Sequence, residues 1–225
     1  TIKTYENTRG LQRKIAKGTA RIIQATISRG FNYWHVSFTV YERKRIPETH
    51  RNPGSVVGID MGVGDHVIVA ANPHGDEVMR RGLPTTISDH DKRIRHLQHK
   101  LSRKRGPDKK TKTAPSSRWI RANNQVHKYH NTMVNVRRDF AAKAVHKLAK
   151  NYETVVIEDL NVRAMMTCGG AYKRGLNRAI AQASLADLRR RITYKTHWNG
   201  GVTIVADRWF PSSKTCSRCG EVKSK

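Results

Sequence analysis

The sequence predicts an α/β fold in which a mixed β-sheet is flanked by helices. Two apolar runs, residues 56–59 and 155–157, have the length and composition of strands covered on both faces. Each run ends in a carboxylate, Asp60 in the first and Glu158 in the second. Because ligands of open α/β sheets collect beyond the carboxyl ends of the strands, the two acids are expected where they could share a divalent cation.

The chain is strongly basic over its whole length. Its 225 residues include 44 Lys and Arg against 17 Asp and Glu, a formal net charge of +27, and 37% apolar residues. This charge fits a polyanionic partner, because each neutralised phosphate releases counterions. Nucleic acid is therefore the expected partner. A ribosomal-type or histone-like coat protein would share this charge, so charge alone assigns no chemistry.

Apolar and polar side chains alternate along residues 19–42, a pattern that is typical of paired β-strands. One face carries Trp34, Val36, Phe38 and Val40, and an Arg29-Gly30 turn signal precedes them. This predicts a β-hairpin or part of a small barrel. The polar segment 43–53 holds two prolines and is interpreted as a linker, which places a domain boundary near residue 52.

The sheet is expected to begin with three antiparallel strands, at 56–60, 66–71 and near 77–79, separated by glycine-containing turns. Ser88 is expected to start a helix, and a second, long helix is expected from about residue 118 to 150. In the long helix Trp119, Val126, Met133 and Phe140 recur every seven residues. An antiparallel helical hairpin over residues 87–150 follows, with an apolar seam and basic outer faces.

A strand at 154–158, a helix from about 178 to 198 and a strand at 202–206 complete the pattern. The paired glycines 200 and 201 end the helix. Three strands, helices, a strand, a helix and a strand is the element order of an RNase H-like domain. We expect this domain to occupy residues 53–207, with the basic hairpin as an insertion.

The paired acids suit two-metal phosphodiester hydrolysis. Such a site needs carboxylates around two cations ~3.5 to 4 Å apart, and Mg²⁺ keeps several waters, so two or three acids suffice. Asp60 and Glu158 are the candidate ligands, and the alternative is that either acid caps a turn. Asp159 would point to the opposite face of the sheet. Asp159 is therefore the weaker candidate. Asp207 ends the last strand and is a rival for the third ligand, but we interpret it as structural because its strand could lie two spacings, ~9.6 Å, from that of Asp60.

Cys216 and Cys219 form a C-x-x-C pair on a turn that can place two thiolates on one Zn²⁺. We interpret residues 208–225 as the first half of a zinc knuckle, whose other two ligands the sequence does not supply. A redox C-x-x-C is the alternative, although it would be expected to open a helix. Cys168 is interpreted as a lone thiol.

Three segments together resemble the TnpB family of transposon-encoded, RNA-guided DNA nucleases, which are related to type V CRISPR effectors. They are 58–62 (Gly-Ile-Asp-Met-Gly), 156–162 (Val-Ile-Glu-Asp-Leu-Asn-Val) and 207–220, which contains the C-x-x-C pair. The resemblance implies a RuvC-like nuclease domain with Asp60 and Glu158 as its first two acids. It also implies that Cys216 and Cys219 begin a zinc knuckle that binds target nucleic acid.

The resemblance further implies that the N-terminal β segment, residues 1–52, is a wedge-like domain that grips guide RNA. The helical insertion would lie along the heteroduplex of guide RNA and target DNA. Guide RNA, Mg²⁺ and Zn²⁺ are the implied cofactors, target DNA is the second partner, and neither a membrane nor a small-molecule substrate is expected. The expected location is the cytoplasm of a bacterium or archaeon, at the nucleoid.

The resemblance also implies a recognition lobe before the wedge strands, a second C-x-x-C and a third catalytic Asp, which this sequence lacks. We therefore expect a core fragment, a decayed copy or a chain shortened at both ends. An alternative function is that of a nuclease-inactive, RNA-guided DNA-binding protein.

Overall fold

The structure is a computed structural model that describes residues 7–29, 34–108, 110–167 and 170–207, together with residues 215 and 221. It forms two compact units, Thr1–Arg45 and Ile46–Lys225. The division falls before the expected position near residue 52, and hydrogen bonds explain why. His50 Nε2 lies 3.2 Å from the carbonyl oxygen of Ala149, and Asn52 donates to that of Asn151. Residues 46–52 therefore cap the end of a helix of the second unit.

The first unit is a short helix followed by two antiparallel strands. Helix α1 spans Arg9–Ala16, strand β1 Ala20–Arg29 and strand β2 Trp34–Glu42. The strands pair from Ala20 opposite Glu42 to Arg29 opposite Trp34, which confirms the predicted antiparallel strand pair. Lys14 of α1 binds Glu42 of β2 at 2.6 Å. The sequence analysis did not predict α1, whose eight residues include three cations and no acid.

The second unit contains a five-stranded mixed sheet. Its strands are β3 (Val56–Met61), β4 (Ile68–Ala71), β5 (Glu77–Arg81), β6 (Thr154–Glu158) and β7 (Val202–Ala206). They lie in the order β5-β4-β3-β6-β7. Strands β3, β4 and β5 are antiparallel neighbours, as predicted, whereas β6 pairs in parallel with both β3 and β7.

Five helices accompany the sheet in the described residues of the second unit: α2 (Thr85–Ser102), α3 (Ser117–Asn151), α4 (Val162–Met165), α5 (Ala171–Ala183) and α6 (Leu185–Trp198). The prediction that Ser88 starts the first of them is wrong. Helix α2 begins after Pro84, and the Ser88 hydroxyl donates to the carbonyl of Thr85. The expected single helix at 178–198 is also wrong, because Ser184 adopts a left-handed conformation (φ 52°) that separates α5 from α6.

One face of the sheet packs against helices and forms the main core. Val57 and Ile59 of β3 and Val155 and Ile157 of β6 are buried there. They contact residues of α3, α5 and α6, among them Val145, Leu148, Ile180, Leu188 and Ile192. This face fixes the register, because a slip of one residue would expose every one of these side chains.

A second cluster holds α2 against α3. Ile87, Ile94 and Leu97 pack on Val126 and Met133, and the ring of His90 meets that of Tyr129 edge-on at 4.9 Å. The antiparallel hairpin with an apolar seam is thereby confirmed. Among the described residues, no helix has both the length and the hydropathy needed to cross a membrane.

Candidate functional site

The two predicted acids lie at the carboxyl ends of neighbouring parallel strands. Val56 pairs with Thr154 and this register continues to Ile59 opposite Ile157. The next residue on each strand is Asp60 and Glu158. Because side chains alternate along a strand, both acids project from the face opposite the buried Ile59 and Ile157. Neighbouring strands are ~4.8 Å apart, so Asp60 and Glu158 occupy adjacent positions on β3 and β6.

The face that carries the acids is the open one in the described residues. Along β3 the buried residues Val57, Ile59 and Met61 alternate with exposed Gly58 and Asp60. Glu158 and Val156 on β6 are half-buried. The expectation of strands covered on both faces is therefore wrong for this part of the chain. An open face leaves room for a large ligand beside the acids.

The glycines around Asp60 have different roles. Gly58 lies on the same face, and a Cβ there would meet nothing nearer than the Ala71 oxygen at 3.9 Å. Gly64 adopts φ +99°, and a Cβ on Gly62 would come within 3.2 Å of the His66 oxygen. The turn from β3 to β4 therefore explains Gly62 and Gly64. Gly58 is the glycine that leaves the face beside Asp60 free of a side chain.

The two neighbouring acids are placed apart from this pair. Asp159 accepts a hydrogen bond from Arg189 of α6 at 2.8 Å, on the helix-covered side of the sheet. Strand β7 lies beyond β6, and Ala206 is opposite Glu158, so Asp207 follows with the opposite alternation. Two strand spacings, ~9.6 Å, separate β7 from β3.

Asp60 and Glu158 fit Mg²⁺ by donor type, since this ion prefers oxygen ligands and keeps several waters. Among the described residues, no group of three or more His, Cys, Asp or Glu is placed to hold a metal ion. Cys168, Cys216 and Cys219 lie outside the described residues.

A cavity of about 810 Å³ lies at the carboxyl end of β6. Asp159, Asn161, Arg189, Arg190, Thr193 and Tyr194 are among the residues that line it. Its basic and aromatic wall is the exposed side of α6, and such walls suit a nucleic-acid strand, whose phosphates are anionic and whose bases stack.

Cations and aromatic rings alternate along that side of α6. The Arg190 guanidinium lies 5.8 Å from the Tyr194 ring centre, and Lys195 Nζ lies 4.8 Å from that of Trp198. The rings of Tyr194 and Trp198 meet edge-on at 4.8 Å. The sequence analysis missed this surface, although the four-residue spacing of 190, 194 and 198 on a predicted helix would have revealed it.

Asp187 partly neutralises the positive charge of α6. Its carboxylate accepts hydrogen bonds from Arg190 at 2.5 Å and Arg191 at 2.6 Å. Burial opposes ionisation of Asp187, but the hydrogen bonds and charges of Arg191 and Arg190 outweigh it and hold its pKa below the usual value.

Comparison with known proteins assigns the family. Residues 38–168, more than half of the chain, match the family model OrfB_IS605, described as "Probable transposase". The chain belongs to the TnpB family. The resemblance found in the three sequence motifs is thereby confirmed. Residues 186–225 also match a family model described as the Cas12f1-like TNB domain.

Relatives of this TnpB-family chain include a protein of Mycobacterium tuberculosis (strain H37Rv) named as a candidate RNA-guided DNA endonuclease. It is 34% identical over 224 residues, which are 99% of this chain and 47% of the relative. InsQ of Escherichia coli (strain K12), named in the same way, is 26% identical over 212 residues, or 90% of this chain and 48% of InsQ. The chain thus spans about half the length of these curated relatives.

A solved structure shares the fold. The chain superposes on a protein chain of the cryo-EM structure of the Cas12f1–sgRNA–target DNA complex with a TM-score of 0.57 and 17% sequence identity. The match covers 98% of this chain and 42% of that one. The mixed α/β architecture is therefore shared.

Proposed function

We propose that this TnpB-family chain provides the nuclease core of an RNA-guided DNA endonuclease, with Asp60 and Glu158 as metal ligands of a RuvC-like site. The observation that carries the proposal is the in-register placement of these acids at the ends of parallel strands β3 and β6. The sheet order and strand directions support an RNase H-like domain. The names of the relatives in Mycobacterium tuberculosis and Escherichia coli support the activity.

The carboxylates of Asp60 and Glu158 would hold Mg²⁺ on the open face of the sheet. When bound there, the ion activates water and offsets the charge of the scissile phosphate. The protein's own part is placement, since the core beneath β3 and β6 fixes the two strands that carry Asp60 and Glu158. The missing side chain of Gly58 lets a phosphodiester backbone approach that face.

Guide RNA and target DNA are the proposed partners. Sequence specificity would come from base pairing, so the protein needs contacts to the nucleic-acid backbone rather than to base edges. The net charge of +27 supplies them. In this proposal the first unit grips guide RNA as a wedge-like domain, the α2–α3 hairpin lies along the heteroduplex, and Cys216 and Cys219 contribute to a zinc knuckle.

The test is cleavage of labelled DNA by the protein expressed from its complete reading frame and bound to a guide RNA. We expect Mg²⁺-dependent cutting of guide-matched DNA, and its loss in Asp60→Ala and in Glu158→Ala. Asp65→Ala is the matched control, because Asp65 is an exposed acid in the turn after β3. Undiminished cutting by Asp60→Ala would overturn the assignment.

The second candidate is a nuclease-inactive, RNA-guided DNA-binding protein. The observation in its favour is that, among the described residues, no group of three or more His, Cys, Asp or Glu is placed to hold a metal ion. In the same assay this candidate predicts guide-dependent retention of DNA without cutting at any Mg²⁺ concentration.

A further inference from the structure

A smaller cavity, of about 260 Å³, lies between the middle of α3 and the junction of α5 with α6. Arg137 and Arg138 of α3 line one side, and Arg190 and Arg191 of α6 line another. These residues are more than fifty positions apart in the sequence, and the packing of α3 on α6 brings them together.

The charge of this cavity is strongly unbalanced. Four guanidinium groups face one carboxylate, that of Asp187, which leaves three positive charges in excess. Asp187 is already engaged by Arg190 and Arg191. Within the described part of the chain, neither Arg137 nor Arg138 has a carboxylate within salt-bridge distance. The described residues therefore supply no counter-charge for the α3 side of the cavity.

Arg137 is half-buried, and burial lowers the pKa of its guanidinium below the usual value. Apolar side chains also line the cavity, among them Leu83, Phe140 and the fully buried Leu188. Removing a cation from water without a partner costs free energy, and the same low-polarity walls strengthen its attraction to any anion that enters. The arrangement is one that an anionic ligand would stabilise.

We propose that this cavity binds a phosphate group of a nucleic-acid backbone, with Arg137 and Arg138 as its principal hydrogen-bond donors. Guanidinium groups bind phosphate oxygens through paired, charge-assisted hydrogen bonds. Arg190 lines both this cavity and the larger one at the carboxyl end of β6. We call the Arg137–Arg138 side of the small cavity the phosphate seat. A nucleic-acid strand bound at the phosphate seat would thus run along α6 toward the carboxyl end of β6. The choice of ligand rests on the proposed nucleic-acid function.

The first test compares Arg137→Met with Arg121→Met. Arg121 is exposed on the same helix and does not line the cavity, so both variants lose one charge and the diffuse attraction falls equally. Binding of single-stranded DNA and RNA oligonucleotides is measured without Mg²⁺ across salt concentrations. We expect Arg137→Met to bind about tenfold more weakly, with a salt slope lower by ~0.7, and Arg121→Met to change less.

Weaker binding of Arg137→Met to either the DNA or the RNA oligonucleotide supports the phosphate seat. The oligonucleotide whose affinity falls more is the one that occupies the seat. Equal losses in the two variants would overturn the proposal, because the contribution of Arg137 would then be diffuse. Arg137→Lys keeps the charge without the paired donors, so only partial recovery is expected. This binding assay is independent of the cleavage assay that tests the nuclease site. If Arg137→Met loses binding while Asp60→Ala still cuts DNA, the phosphate seat is supported and only the assignment of the nuclease site is wrong.

The second test needs no variant and does not depend on folding of Arg137→Met. The unaltered protein is treated with phenylglyoxal, which modifies arginine, with and without inorganic phosphate, and the modified sites are identified by mass spectrometry. We expect phosphate to protect Arg137 and Arg138 and to leave Arg121 reactive. Equal protection of all three, or of none, would contradict the proposal.

Discussion

Replacing His50 by alanine should lower the free energy of unfolding by about 3 kcal/mol. His50 is 2% exposed. Its Nδ1 accepts from the Asn52 backbone N–H at 3.1 Å, which leaves Nε2–H to donate to the Ala149 carbonyl at 3.2 Å. Alanine would leave both backbone groups unpaired at ~1 kcal/mol or more each, and the emptied space adds a further packing loss.

The Ala149 carbonyl is one of the last four in α3 and has no partner within the helix. Helix α3 leads directly into β6, so the loss acts on the strand that carries Glu158. Thermal unfolding followed by circular dichroism should show a fall in Tm of roughly 6 to 12 °C. His50→Gln, whose amide can still donate to that carbonyl, should recover part of it.

His146→Ala is the matched control for His50→Ala, because His146 is exposed on α3 and its loss should change stability by less than about 0.5 kcal/mol. Equal Tm values for His50→Ala and the unaltered protein would refute the view that residues 46–52 cap α3.

Three further predictions follow from particular contacts. The pKa of Asp187 lies below its usual 3.8, so its pairing stabilises the fold above that pH, and this stabilisation is lost as the pH falls through the lowered pKa. Asp187→Asn should therefore lower Tm at pH 7, and thermal melts should show the difference shrinking as the pH falls below 3.8. Gly201→Ala would place a Cβ 2.3 Å from the Glu153 backbone oxygen and should lower the free energy of unfolding, measured in urea, by at least ~2 kcal/mol. Gly75→Ala is the control: it has open space but φ +89°, and its free energy of unfolding should fall by only ~1 kcal/mol. Gly58→Val should leave Tm within a few degrees and reduce DNA cleavage, because the added side chain occupies the face beside Asp60; unchanged cleavage would contradict that placement.

The sheet was predictable because its signals are local. Short apolar runs separated by turn residues mark β3, β4 and β6, and the acid after Ile157 and the acid after Ile59 can be read directly. That the two acids become neighbours depends on the pairing of β3 with β6, nearly a hundred residues apart. The element order of the chain suggested this pairing, and the structure contains it.

The helix boundaries were less predictable because their causes are not local. Ser184 adopts a conformation that favours glycine, so the break between α5 and α6 has no signal in its residue type. The early boundary of the second unit depends on His50 reaching the end of α3, ninety-nine residues away. The cavity that joins Arg137 to Arg191 likewise exists only once α3 packs on α6.

The central claim, that Asp60 and Glu158 share one divalent-metal site, is tested most directly by Mn²⁺ binding measured by electron paramagnetic resonance. We expect Asp60→Ala and Glu158→Ala each to weaken one Mn²⁺ site at least about tenfold, and the double variant to be no weaker than the weaker single one. Losses that simply add, or an Asp65→Ala control that weakens binding as much, would contradict a shared site.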